Sequence, residues 1–175
     1  CGMLSGPCPS PFNLAAYVLA RGEAHPDKIA LSLLGPYKAE RWSYGKLTRA
    51  VRCVGQGLLE AGLAPGDQLL LRLGNGVAFP LAYLGAIAVG IIPIPTSAQL
   101  TTPELDRMMP VISPKAQVLG QGIAAPSQEP ATVTEAELHA MAKGTREADY
   151  AMGDPERMAY IMFTSGTSGR PRAVA

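Results

Sequence analysis

Tyr160-Ile-Met-Phe-Thr-Ser-Gly-Thr-Ser-Gly-Arg-Pro-Arg-Ala-Val174 is the stretch on which the reading of this chain turns. Tyr160, Ile161, Met162 and Phe163 form an apolar run, which reads as a buried strand. The nine residues from Thr164 to Arg172 hold four hydroxyls, two glycines and two arginines. Glycines let backbone N–H groups approach an anion, hydroxyls add donors, and guanidinium groups supply charge in a bidentate fork. A phosphate chain suits that set. Each hydrogen bond to a charged group contributes ~1.5–3 kcal/mol, so several converging donors could hold a nucleotide tail. The same composition also makes an ordinary turn. It does not make a Walker loop, because Gly-x4-Gly-Lys-(Ser/Thr) occurs nowhere in the chain. Gly74-Asn-Gly76 is no dinucleotide fingerprint either, since its third glycine would fall at Phe79.

Upstream of this stretch, strand and helix patterns alternate. Ser10-Pro11 predicts an N-cap with proline at the first helical position, opening a helix through Phe12, Leu14, Ala15, Tyr17, Val18 and Leu19 that ends near Gly22 to Pro26. Lys28 to Leu34 and Arg41 to Tyr44 read as two strands of a hairpin around a turn at Gly35-Pro36. Ser43 is placed to cap a helix with apolar positions at Leu47, Val51, Val54, Leu58 and Leu59, stopped by Gly62. Gln68 to Leu73 reads as a buried parallel strand, followed by a helix over Val77 to Val89 that ends at Gly90. Ile91 to Pro95 is extended, and its two prolines suit a sheet edge. A helix opens at Thr102-Pro103-Glu104 and breaks at Pro110, and Ala116 to Leu119 is a short strand. Residues 120–131 read as a surface loop. Thr134-Glu-Ala-Glu137 is a capping box opening a helix to about Lys143, and residues 144–156 read as a polar, exposed connection. Alternation of this kind predicts an α/β wound sheet, with ligands beyond the carboxyl ends of its strands.

Composition narrows the rest. Of 175 residues, 47% are hydrophobic and 17% charged, against ~25% charged in ordinary domains. That shortage predicts apolar surface meant for burial against the missing remainder of the protein, or against a second copy. The net charge of +1 gives no argument for nucleic acid or an anionic membrane surface. No apolar run reaches the ~18 residues of a membrane span, and no secretory leader is visible. Cys1, Cys8 and Cys53 have neither metal nor redox spacing, and with only His25 and His139 no metal cluster is expected. A reduced, cytoplasmic protein is the expectation, with Met3 as its native start. Cys53, beside Val51 and Val54, reads as a small buried hydrophobe and His25 as a turn residue. Met108, Met109, Met158 and Met162 read as core filler. Glu23, Asp27, Asp67, Asp106 and Glu137 read as caps or solvated charges.

The string Phe163-Thr-Ser-Gly-Thr-Ser-Gly-Arg-Pro-Arg-Ala173 resembles the phosphate-binding signature of the adenylate-forming (AMP-binding) superfamily, aromatic-Thr-Ser-Gly-(Thr/Ser)-(Thr/Ser)-Gly-x-Pro-Lys-Gly. Nine of eleven positions agree. Arg172 stands where the family usually has lysine, and Ala173 where it has glycine. Trp42-Ser-Tyr-Gly-Lys-Leu47 resembles the family's (Leu/Trp)-(Thr/Ser)-Tyr-x-x-Leu segment, and Leu84 to Pro95 its Leu-x5-Gly-x4-Pro segment, in family order. Pro11-Phe12-Asn13 and the terminal loop lean towards acyl- or aroyl-CoA ligases.

The resemblance implies an α/β fold: the first part of the large N-terminal domain of an acyl-CoA synthetase-like enzyme, a wound mixed sheet with flanking helices, incomplete. Residues 1–175 would be a partial N-terminal domain ending just after the phosphate loop, without the C-terminal domain. The parent enzyme would join a small-molecule carboxylic acid to ATP with Mg²⁺, release pyrophosphate, and pass the acyl group from the adenylate to coenzyme A. Thr164, Ser165, Gly166, Thr167, Ser168 and Gly169 would hold the β- and γ-phosphates, and Arg172 would neutralise charge on the leaving pyrophosphate. Arg170 sits at a variable position and reads equally as a solvated charge. No catalytic residue and no metal ligand is assigned. Two alternatives stay open: a peptide-synthetase adenylation domain, whose acceptor is a carrier protein, and a non-catalytic phosphate-binding or interaction module.

Overall fold

A computed structural model describes residues 9–35, 39–165 and 171–174. The chain runs α1 (Leu14–Leu19), β1 (Ile29–Leu34), β2 (Ala39–Ser43), α2 (Tyr44–Glu60), β3 (Gln68–Arg72), α3 (Ala78–Ala88), β4 (Ile92–Pro95), α4 (Thr102–Met108), β5 (Pro114–Leu119), β6 (Ala131–Thr134), α5 (Glu135–Ala142), β7 (Met162–Ser165) and β8 (Pro171–Val174). Single 3-10 turns follow α1 and α4. The strands sort into three sheets: the antiparallel hairpin β1–β2, a parallel sheet ordered β4-β3-β5-β6, and the antiparallel hairpin β7–β8.

The parallel sheet is the frame. Leu69, Leu70 and Leu71 of β3 are at most 1% exposed, each contributing about 1.5–3 kcal/mol by burial. Side chains alternate across a strand, so Leu69 and Leu71 join Val118 and Val133 under α2, α3 and α5, where the main core lies. Leu70 faces the other way, into a smaller cluster with Ile94, Ile112 and Ile161. Helix α2 carries the predicted stripe: Leu47, Val51, Val54 and Leu58 are buried, and Ser43 Oγ accepts from Lys46 N–H. Where α2 meets α3, a Cβ on Gly85 would fall 2.7 Å from Val54 Cγ1, so only glycine allows that approach. Gly62 ends α2 with φ +93°, a left-handed conformation that favours glycine. The edge position of β4 agrees with its two prolines.

Several expectations fail for identifiable reasons. The cap of α1 is Asn13, not Ser10: its Oδ1 accepts from Ala15 and Ala16 N–H at 3.0 and 3.2 Å, and Phe12 is extended, paired with Gly153. The loop expected over residues 120–131 gives way at Ala131 to a strand the sequence did not announce, β6, whose four residues bury only Val133 and so offer almost no alternation to read. Residues 144–156 are not simply exposed. Arg52 Nε donates to Ala148 O at 2.8 Å, its Nη1 pairs with Glu147 at 2.8 Å, and Ala148 is buried. Met108 is buried and Met109 half-buried, but Met158 and Met162 are exposed and fill no core. Tyr44, read as the end of a strand, is the first residue of α2.

Cys53 is buried as expected, its Sγ donating to Gly144 O at 3.3 Å, and burial pushes the thiol upward. His25 N–H donates to Gly22 O in a turn. Asp67 and Glu137 accept from Ala64 and Thr134, three residues before each, while Asp106 accepts from Ser127, which lies 21 residues on in the chain. Pro36 of the expected Gly35-Pro36 turn, with Cys1, Met3 and Cys8, lies outside the described residues. No described helix is long and apolar enough to cross a membrane.

Candidate phosphate-binding hairpin

The apolar run at Tyr160 does not enter the parallel sheet. Met162 to Ser165 form β7, which pairs antiparallel with β8 in the register Met162↔Val174, Phe163↔Ala173, Thr164↔Arg172 and Ser165↔Pro171. The expected strand-then-loop is therefore a hairpin whose two strands flank the Gly/Ser/Thr segment. Thr164 and Ser165 lie at the end of β7, and Arg172 lies in β8 with its Cα opposite that of Thr164. Gly166, Thr167, Ser168 and Gly169, with Arg170, lie outside the described residues.

The hairpin is tied to the frame through the residues just before it. Ile161 is buried in the smaller core, and its N–H donates to Pro93 O of edge strand β4 at 3.1 Å. Phe163 packs against the same cluster. Tyr160 tilts against Tyr83 of α3 with ring centroids 5.8 Å apart, and Phe79 stacks on Tyr83 at 6.0 Å. Burial, with Tyr160 beside it, pushes the Tyr83 hydroxyl up to about 12. It stays protonated at neutral pH and is no candidate base.

Sequence reasoning missed the fully buried Arg72. It closes β3 on the second face of the sheet, where β3 leads to α3 while β5 leads to the loop packed on α4. In open α/β sheets, the crevice where successive connections take opposite faces is the usual ligand position. Here Arg72 occupies it. Nε donates to Ala124 O at 2.9 Å, Nη1 to Thr96 Oγ1 at 3.1 Å and to Ser97 O, and Nη2 to Leu100 O at 2.9 Å. All four acceptors are neutral. Burial pulls the guanidinium below its ordinary value, but arginine keeps its charge in proteins. The one available signal was a charged residue inside the apolar run Leu69 to Leu73. On the same face, Gln117 is fully buried, donating to Thr132 Oγ1 at 3.0 Å, while its Oε1 has no hydrogen-bond partner among the described residues.

Among the described residues, no group of three or more His, Cys, Asp or Glu is arranged to hold a metal ion.

Comparison with known proteins agrees on the fold and family. The long-chain-fatty-acid–CoA ligase FadD13 of Mycobacterium tuberculosis is 28% identical over 148 residues, covering 77% of this chain and 29% of that protein. A plipastatin synthase of Bacillus subtilis is 29% identical over 139 residues, covering 77% of this chain and 5% of its own length. The chain thus spans less than a third of either relative. Among solved structures, the N-terminal domain of FACL13 from Mycobacterium tuberculosis, crystallised with an inhibitor, superposes with a TM-score of 0.77 at 22% identity over 93% of this chain and 44% of that one. This is the fold of the N-terminal domains of acyl-CoA ligases. The profile of the AMP-binding enzyme family matches residues 18–175, and the chain belongs to that family.

Proposed function

We propose that this chain supplies the nucleotide-phosphate grip of an ATP-dependent carboxylate–CoA ligase, and forms the first part of that enzyme's large N-terminal domain. The observation that carries the reading is the β7–β8 hairpin itself. Its register sets Thr164 against Arg172 and leaves a segment rich in glycine and hydroxyls between the two strands. Such a set of donors fits a polyphosphate tail. Backbone N–H groups of Gly166 and Gly169, with the hydroxyls of Thr164, Ser165, Thr167 and Ser168, hold the β- and γ-phosphates. Arg172 neutralises charge that develops on departing pyrophosphate. ATP is the nucleotide, a small-molecule carboxylic acid the substrate and coenzyme A the acceptor. The ribose and acid pockets come from other parts of the enzyme, and no described residue is assigned to Mg²⁺.

One observation favours a second reading. The similarity to plipastatin synthase matches that to FadD13 in identity and in the share of this chain it covers, so the acceptor could be a carrier-protein thiol, as in peptide synthetases. The anchors of the hairpin serve both.

Pyrophosphate and ATP binding to the wild type and to Arg172→Ala, followed by calorimetry, test the grip. Loss of one charge-assisted contact should weaken binding about tenfold to a hundredfold. Unchanged binding would remove this hairpin from phosphate recognition. Thioester formation from the acid and ATP by the whole enzyme, measured on coenzyme A and on a carrier-protein thiol, separates the two readings.

A further inference from the structure

The β7–β8 hairpin hangs from β4, one edge of the parallel sheet. A second cleft lies towards the other edge, where α5 follows β6. Its walls are the β1–β2 hairpin, the first turns of α2, the turn after β3 and one face of α5, and it encloses about 580 Å³. That size falls in the range of small-molecule sites, ~300–1,000 Å³. The cleft opens at the carboxyl ends of two strands: Gly76 and Val77 follow β3, and Glu135 directly follows β6. Parallel sheets present ligands there.

The lining has two chemistries. Leu33, Trp42, Ala50, Val77 and Ala142 are apolar, while Lys46, Arg49 and Lys143 bring three cations. Lys46, Arg49 and Ala50 share a face of α2 at i, i+3 and i+4. Cys53, one turn beyond Arg49, donates to Gly144 O, so the end of α5 bearing Lys143 sits against the same stretch of α2. The carboxylates in the lining already have partners. Glu40 Oε1 accepts from Trp42 Nε1 at 2.8 Å, and Glu135 faces His139 at 3.8 Å. Lys46 covers the Trp42 ring, 3.8 Å from its centroid. Among the described residues neither Arg49 nor Lys143 has a carboxylate within salt-bridge distance.

We propose that this cleft binds a small amphipathic monocarboxylate, independently of the phosphate hairpin. The apolar body lies on Trp42, Ala50, Val77 and Ala142, and the carboxylate is held by Arg49 and Lys143. With Glu40 and Glu135 set against Lys46, Arg49 and Lys143, the lining keeps the excess positive charge that matches one carboxylate, not a polyanion, which sets the site apart from one for pyrophosphate or a nucleotide. The proposal does not rest on the reading of the β7–β8 loop.

Trp42 is the chain's one tryptophan, so its fluorescence reports on this cleft directly. Titration with octanoate should give a saturable change in the millimolar range or tighter, and octan-1-ol and pyrophosphate should give a far weaker one or none. Arg49 and Lys143 are exposed, so the double variant Arg49→Gln, Lys143→Gln should keep its circular dichroism and lose at least about tenfold in octanoate affinity. Arg172→Ala should leave the octanoate response intact. An absent or non-saturable change, equal affinity for octan-1-ol, displacement by pyrophosphate, or equal affinity in the double variant would each overturn the proposal.

Discussion

Asn13 ties three separate parts of the chain together, and removing its amide tests that role quantitatively. The side chain is 1% exposed. Oδ1 accepts from Ala15 and Ala16 N–H, and Nδ2 donates to Ile87 O at 2.9 Å, Ala88 O at 3.2 Å and Ala151 O at 3.0 Å. An amide nitrogen carries two hydrogens, so three carbonyls share two protons, equivalent to two full bonds. Each is worth about 0.5–1.5 kcal/mol net, and the helix cap about 0.5–2 kcal/mol. The carbonyls do not become orphans: Ile87 O also accepts from Gly90 N–H, Ala88 O from Ala151 N–H, and Ala151 O from Arg157 Nη2. The full burial penalty is therefore not added. Asn13→Ala should cost about 1.5–5 kcal/mol, a large part of a typical stability of ~5–15 kcal/mol. Urea unfolding followed by Trp42 emission measures it.

Asn13→Asp keeps the cap oxygen and turns the other oxygen towards three carbonyls. At neutral pH it should be less stable than Asn13→Ala, because the carboxylate has acceptors where it needs donors. Its folded-state pKa is raised, so its stability should recover as pH falls through that pKa and decline as pH rises through it. A loss below about 0.5 kcal/mol for Asn13→Ala, or an Asn13→Asp variant as stable as Asn13→Ala at neutral pH, would refute the reasoning.

Arg72→Lys keeps the charge but cannot serve Thr96, Ser97, Leu100 and Ala124 together; hydrogen exchange should accelerate at residues 96–101 and 120–125 ahead of the rest of the chain. Gly85→Ala places its Cβ 2.7 Å from Val54 Cγ1 and 3.2 Å from Val51 O; overpacking of about 1–3 kcal/mol should outweigh a helix-propensity gain of up to about 1 kcal/mol, lowering the thermal midpoint. The hydrogen bond from Lys115, then that from Ala64 N–H, holds the Asp67 carboxyl below its ordinary range. Its contribution is present above the unfolded-state pKa and lost as pH falls through the folded one, so the stability gap between wild type and Asp67→Asn should close on acidification.

Much of this architecture was legible in the sequence because it rests on local chemistry. The α2 stripe, its Ser43 cap, the stop at Gly62, the capping box at Thr134 and the proline-marked edge strand each depend on neighbours within a few residues. The segment proposed to grip phosphate stands out in the sequence for the same reason, as a contiguous run of hydroxyls, glycines and arginines from Thr164 to Arg172. What could not be read depends on partners distant in sequence. Asn13 caps α1 because residues 74, 75 and 138 positions away hold its amide. Arg72 is buried because carbonyls 25, 28 and 52 positions on, with the hydroxyl of Thr96 24 on, surround it. Residues 144–156 read as solvent-facing from their polarity alone, until Arg52 draws them onto α2. The cleft around Trp42 has walls from four elements that no window of sequence spans. Local free energies are written in neighbouring side chains; a buried polar group is stabilised only by the partners that folding brings to it, and tertiary structure alone decides which those are.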